Sequence, residues 1–211
     1  MTDRPVLYGF DGSTYVRTVR TVLRRKGIDY EQVTVNVLEG EPRQPEHLAR
    51  HPFGKVPVLD IDGMRLRETD AICRYLDAAH ETPAVIPRDI KDRARMDEIM
   101  SLTHAYGYDA LIGAVGFHLF PDFIGGADEA KHDAALERSR TFLSLVDEIR
   151  GEDPWAAGEA VSLADYYLGP LLLYVSLTPD AGQLLGTGRT ADLWERLQGD
   201  EDFKATAPDL G

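Results

Sequence analysis

The chain has 211 residues, 43% hydrophobic and 28% charged, which is ample for a sizeable core and excludes a largely disordered protein. Thirty-six acidic residues against 23 basic ones give a formal net charge of −13, a poor basis for generic binding to nucleic acid or anionic membrane. The single cysteine, Cys73, excludes an intrachain disulfide and a multi-cysteine metal site. The opening MTDRPVLYGF has neither the basic start nor the long apolar run of a secretion signal. The apolar run over residues 168–175 contains Gly169 and Pro170 and is too short to span a bilayer. A soluble cytoplasmic protein with no nucleic-acid or membrane partner is expected.

The first eighty residues alternate strand and helix signals. Residues 5–10 form a short apolar run of strand length, and Asp11-Gly12-Ser13 is a turn that can also start a helix. Val16, Val19, Val22 and Leu23 then recur at helical spacing until Gly27. Residues 30–37 read as a second strand and residues 46–50 as a short helix. Residues 56–61 and 64–66 read as strands joined by the two-residue turn Asp62-Gly63. Residues 69–79 are helical, with Ile72, Tyr75, Leu76 and Ala79 on one stripe. The order β-α-β-α-β-β-α predicts a small mixed sheet.

Residues 81–88, with two prolines, read as a linker, and everything after them is helical. One long amphipathic segment covers residues 89–119 and is bent near Gly107 or Gly113. Residues 121–126 are a loop, and helices follow over 127–150, 162–177 and 191–197. The fold class is therefore α/β plus all-α, divided into residues 1–80, the linker and residues 89–211.

Four local motifs give the chain a family likeness. Residues 51–59, HPFGKVPVL, resemble the Asn-Pro-x-Gly-Lys-Val-Pro-x-Leu segment of cytosolic glutathione S-transferases, with His51 in place of the usual Asn. Glu68-Thr69-Asp70-Ala71-Ile72, followed by Tyr75-Leu76, is similar to that family's Glu-Ser-x-Ala-Ile-x-x-Tyr-Leu. Ser13 to Arg20 is similar to the Ser-x-x-x-Arg-x-Val pattern of the bacterial-type, serine-type members, without their proline after the serine. Ser162-Leu163-Ala164-Asp165 matches the family's Ser-x-x-Asp, and is a helix capping box in its own right.

The resemblance implies a thioredoxin-like glutathione-binding domain followed by an all-helical domain that forms the acceptor-substrate pocket. It implies a cis peptide before Pro57, with the Val56 backbone turned to pair with the cysteinyl group of glutathione. Glu68 would hold the γ-glutamyl ammonium, and Thr69, at a helix start, its carboxylate. Lys55 would reach the glycyl carboxylate. Ser13 would donate its hydroxyl to the sulfur and favour the thiolate, with Thr14 and Tyr8 as competing hydroxyls. Arg17, one turn on, could serve the ligand or pair with an internal acid. Tyr106, Tyr108 and Phe117 are candidates for the acceptor pocket, and Arg74 and Tyr75 for a homodimer face. No metal site is expected, because the histidines have no ligand spacing, and Cys73 reads as a buried thiol. The implied activity is transfer of glutathione, the co-substrate, to an electrophilic small molecule, a detoxification chemistry. Isomerisation, dehalogenation, ether cleavage and a non-catalytic protein-binding role are the alternatives.

Overall fold

The apolar run after Pro5 forms strand β1 (Val6–Tyr8) in the computed structural model, which describes residues 4–186 and 188–209. Helix α1 (Thr14–Arg25) follows, and its Val16, Val19, Val22 and Leu23 are all fully buried. Spacing of three and four thus becomes a single stripe facing the core. Strand β2 (Glu31–Val33), helix α2 (Pro45–Leu48), strands β3 (Val58–Ile61) and β4 (Met64–Arg67), and helix α3 (Thr69–Ala79) complete the order expected from the sequence. The sheet runs β2-β1-β3-β4, with β1 parallel to β2 and antiparallel to β3, and β3 antiparallel to β4. Asp62 and Gly63 both take left-handed φ, 51° and 73°, as a two-residue hairpin turn requires.

Three strands are shorter than their sequence signals, and β1 spans only Val6–Tyr8 of the expected residues 5–10. Strand β2 stops at Val33 because its only partner, β1, ends at Tyr8; Val35 beyond it is still buried. Strand β3 starts at Val58 rather than at residue 56, since the pairing register begins there.

The helical part contains α4 (Ile90–Leu102), α5 (Tyr108–Leu119), α6 (Glu129–Arg150), α7 (Leu163–Ser176), α8 (Ala181–Leu184) and α9 (Arg189–Gly199). Asp89 caps α4, accepting from the N–H groups of Lys91 at 2.8 Å and Asp92 at 3.2 Å. The long helix expected over 89–119 is interrupted by one π turn, Thr103–Gly107. The interruption falls where Phe142 of α6 comes close: a Cβ on Gly107 would lie 2.5 Å from its ring. The residues expected as a loop after α5 contain a short 3-10 turn, Pro121–Ile124. Helix α7 is the centre of this part, with every residue from Leu163 to Leu172 buried, and it packs against α4, α5 and α9. Among the described residues no helix is long and apolar enough to cross a membrane.

The chain forms two compact units: residues up to Val85 together with those from Glu201 onward, and Ile86–Asp200. The expected division put residues 89–211 in one helical domain; the end of the chain instead groups with the first unit. Helix α10 (Glu201–Ala205) packs on α1. Arg17 donates to the Phe203 carbonyl at 2.9 Å and lays its guanidinium 3.7 Å from the centre of that ring. Thr21 and Thr206 hydroxyls meet at 2.8 Å. Part of the expected linker also belongs to the first unit, because the wholly buried Lys26 Nζ donates at 2.6 Å to Asp77 and to the carbonyls of His80 and Pro83.

The start of α7 holds a buried polar site in the second unit. Asp165 is fully buried. Its carboxylate accepts from Ala156 N–H, Ser162 N–H and the Ser162 hydroxyl, each at 2.8 Å. Burial pushes its carboxyl up to about 6, against the pull of those hydrogen bonds. Asp165→Ala strands three buried donors and is expected to cost about 2–4 kcal/mol. The measurement is the urea midpoint, and a midpoint equal to wild type would refute this role for the cap.

Candidate functional site

Strand register decides where the site lies. Tyr8 pairs with Val58, and Val58 pairs with Arg67. The end of β1, the start of β3 and the end of β4 are therefore side by side. The segments just outside the ladder, holding Ser13, Lys55 to Pro57, and Glu68 with Thr69, all leave the sheet at that one end. Helices α1 and α3 both start there and pack on each other. Each brings its first-turn N–H groups and the positive end of its dipole.

Ser13 is the N-cap of α1, with extended backbone (φ −76°, ψ 123°), and its Oγ accepts from Val16 N–H at 3.4 Å. No acidic residue occupies the first turn of α1, so the dipole there is not offset by a carboxylate. Thr14 is buried at the first helical position. Tyr8, the other competing hydroxyl, donates to Asp60 at 3.2 Å. Its ring lies 4.4 Å below the Arg50 guanidinium, and Asp60 is gripped by Arg65 through two bonds at 2.7 and 2.6 Å.

The 51–57 loop is held from beneath by two buried histidines. His47 Nε2 meets the Lys55 carbonyl at 2.8 Å; a carbonyl only accepts, so Nε2 carries the proton. Gly54 has φ +59°, and a Cβ there would fall 2.8 Å from the Pro42 carbonyl oxygen, so both conformation and space demand glycine. The Val56–Pro57 peptide is cis, as is Thr82–Pro83. Lys55 is exposed and Val56 half-buried, while Pro57 is buried.

Glu68 has φ +68° and ψ 123°, a left-handed value that strains a side-chain-bearing residue and points to a local functional demand. Its side chain is 75% exposed. It makes no side-chain cap bond to α3, so the helix start keeps donors for an anion. Thr69, first in α3, is buried. His51 Nε2 lies 3.6 Å from Glu68 Oε1, and burial lowers the imidazole pKa. The buried His51 ring thus sits against the exposed glutamate.

Other expected residues lie elsewhere. Arg17 is tied to Phe203, which removes it from the candidates for ligand charge. Tyr106, in the π turn, is exposed; Tyr108 is half-buried, and burial raises its hydroxyl pKa. Phe117 stacks on His132 at 4.3 Å, edge-on to His118. Cys73 is fully buried, and that burial pushes its thiol far above the usual range. The sequence showed no ligand spacing among histidines, yet the fold gathers His118, His132 and Asp180. It likewise gave no sign that His47 supports Lys55, while His51 stood out only as a departure from a motif.

Residues 7–84 match the family profile described as glutathione S-transferase, N-terminal domain, and residues 102–184 match glutathione S-transferase, C-terminal domain. Glutathione S-transferase 1 of Zea mays is 32% identical over 193 residues, 90% of each chain. Maleylacetoacetate isomerase of Pseudomonas aeruginosa is 32% identical over 207 residues, 96% of this chain and 92% of that one. The structure of glutathione S-transferase I from mais in complex with an atrazine glutathione conjugate matches with a TM-score of 0.83 at 28% identity, over 97% of this chain and 96% of that one. With both domains matched in order by one family, and relatives alike over almost their whole length, the chain belongs to the glutathione S-transferase family.

Proposed function

We propose that the chain is a glutathione transferase of the serine type, which activates the glutathione thiol for attack on an electrophilic small molecule. The observation that carries this reading is the convergence of Ser13, Lys55, Val56, Pro57, Glu68 and Thr69 at one end of the sheet, beside two helix N-termini. Thr69 and the start of α3 take the γ-glutamyl carboxylate, and Glu68 takes its ammonium. The Val56 backbone pairs with the cysteinyl group, and Lys55 faces the glycyl carboxylate. In a chain of net charge −13, these local donors supply the positive potential that an anionic co-substrate needs.

Ser13 Oγ accepts from Val16 N–H, which leaves the hydroxyl proton to donate to the sulfur. A free thiol has a pKa of about 8.5, and lowering it by about two units takes about 2.7 kcal/mol of differential stabilisation. One charge-assisted hydrogen bond and the end of α1 are of that size. The thiolate then forms the carbon–sulfur bond to the electrophile, and the electron pair of the broken bond leaves with the displaced group or, on addition to an activated double bond, passes onto the acceptor, which takes a proton from solvent. The bond of Tyr8 to Asp60 favours Ser13 over Tyr8 for this role. Tyr106 and Tyr108 remain proposed acceptor contacts, whereas the stacking of Phe117 on His132 argues against it. The likeness to a maleylacetoacetate isomerase supports a second reading, in which the same thiolate adds to a substrate and is expelled again. A cytoplasmic homodimer that serves detoxification completes the proposal.

Ser13→Ala is expected to raise the thiol pKa of bound glutathione by about one unit and to lower the rate at neutral pH about ten-fold, while binding to immobilised glutathione survives. Glu68→Ala loses binding first. Ultraviolet titration of the thiolate checks this against Thr14→Val and Tyr8→Phe; a shift confined to either control moves the role to that residue.

A second expectation concerns His51. Its folded-state pKa lies below the unfolded value of about 6.5. Between the two values the unfolded chain binds the extra proton. The contribution of His51 is therefore complete above pH of about 6.5 and is lost as pH falls from there through the folded value. His51→Asn should flatten that part of the stability profile, measured as urea midpoints from pH 7.5 down to 5. An unchanged slope would assign the loss to other groups.

A further inference from the structure

In the helical unit, three side chains from three separate segments point at one place. His118 is in the last turn of α5, His132 in the first turns of α6, and Asp180 just before α8. His118 Nε2 lies 2.9 Å and His132 Nε2 2.8 Å from the same oxygen, Asp180 Oδ2. The two nitrogens and the carboxylate oxygen all fall within 4.8 Å of one another. The side chains are largely covered, with exposures of 22%, 12% and 10%.

The surroundings fix this aim. Gln183 donates to the other oxygen, Asp180 Oδ1, at 2.7 Å, and its own carbonyl accepts from Arg140 at 2.5 Å. Oδ1 is thereby engaged and Oδ2 is presented to the imidazoles. Phe117 stacks on the His132 ring at 4.3 Å and meets His118 edge-on at 5.1 Å, and the two imidazoles stand at 87° to each other. Both rings are thus held with Nε2 inward. Two donors on helices and one on the turn before α8, with an outer group orienting the carboxylate, form the arrangement a metal ion requires.

We propose that His118, His132 and Asp180 form a binding site for one divalent transition-metal ion of the zinc class. Two imidazole nitrogens and one carboxylate oxygen suit zinc and its neighbours and are a poor set for calcium or magnesium, which take oxygen ligands. Zinc bonds of about 2.0–2.2 Å at tetrahedral angles separate the ligand atoms by about 3.3 Å. The nitrogen-to-oxygen separations of 2.8 and 2.9 Å reach that value by a shift of a few tenths of an ångström. Without metal, each imidazole Nε2–H donates to Oδ2; a metal ion takes each Nε2 free of that proton, with the ring N–H on Nδ1. Water fills the remaining coordination. The ion clamps the end of α5, the start of α6 and the segment before α8, and is a stabilising ligand of this unit rather than a participant in thiol chemistry.

The test is titration of the full-length, chelator-treated protein with zinc by calorimetry and with cobalt by visible absorption. One ion per chain and a raised melting temperature are expected. His118→Gln and Asp180→Asn, which keep volume and polarity, each weaken binding at least about 100-fold, and Gln183→Ala weakens it about 10–100-fold. His80→Gln and His104→Gln leave it unchanged. In the wild type, histidine ring nitrogen resonances report the site directly, so the proposal stays testable if a variant fails to fold: two of the six rings shift on adding zinc. Absence of stoichiometric binding, binding indifferent to His118→Gln in a folded variant, or ring shifts that belong to other histidines would overturn the proposal and leave a hydrogen-bonded cluster only.

Discussion

The proposed glutathione site depends on strand β3 being held antiparallel on both sides, by β1 and by β4. Leu7, Leu59 and Leu66 lie in register on one face, and Tyr8, Val58 and Arg67 on the other. Leu7, Leu59 and Ile61 are buried, while the opposite face carries the Tyr8–Asp60–Arg65 network. A slip of one residue would send Leu59 to the polar face and Asp60 to the core. That alternation therefore protects the alignment of the three chain exits. The segments holding Ser13, Val56 and Glu68 are far apart in sequence and leave the sheet at one end through this register.

Buried cations secure the remaining geometry. Lys26, Arg17 and Arg150 are all nearly inaccessible. Lys26 ties α1 to the end of α3 and to the segment after it. Arg17 ties α1 to the end of the chain. Arg150 joins α6 to α9 through Arg189 O and Asp192, each at 2.5 Å. Removing any one of these would strand buried acceptors, which is more costly than the loss of a surface pair. Charges in such settings act as fixed connectors between helices that apolar packing alone would leave free to slide.

The proposed glutathione site joins strain to support. Glu68 has an unfavourable backbone conformation and an exposed carboxylate, which only a rigid frame can hold. His51 beside it and His47 beneath Lys55 supply part of that frame. Support of this kind keeps the ligand-facing atoms in place before any ligand arrives, and so reduces the ordering required on binding.

Much of this was legible in the residues themselves. The α1 stripe, the Asp62-Gly63 turn, the Ser162–Asp165 cap and the order of elements are local features, set by periodicity and backbone preference over a few residues. The segments 51–59 and 68–76 pointed to the proposed site for the same reason: each is a continuous stretch of sequence. Other features arose only from packing at a distance. Phe142 lies close to Gly107 where the long helix breaks, and Phe203 meets Arg17 where the chain end returns to the first unit. The pairing of His47 with Lys55 and the meeting of His118, His132 and Asp180 follow no sequence spacing. Contacts of this kind depend on how whole elements cross, so no short stretch of sequence encodes them, and they exist only once the chain has folded.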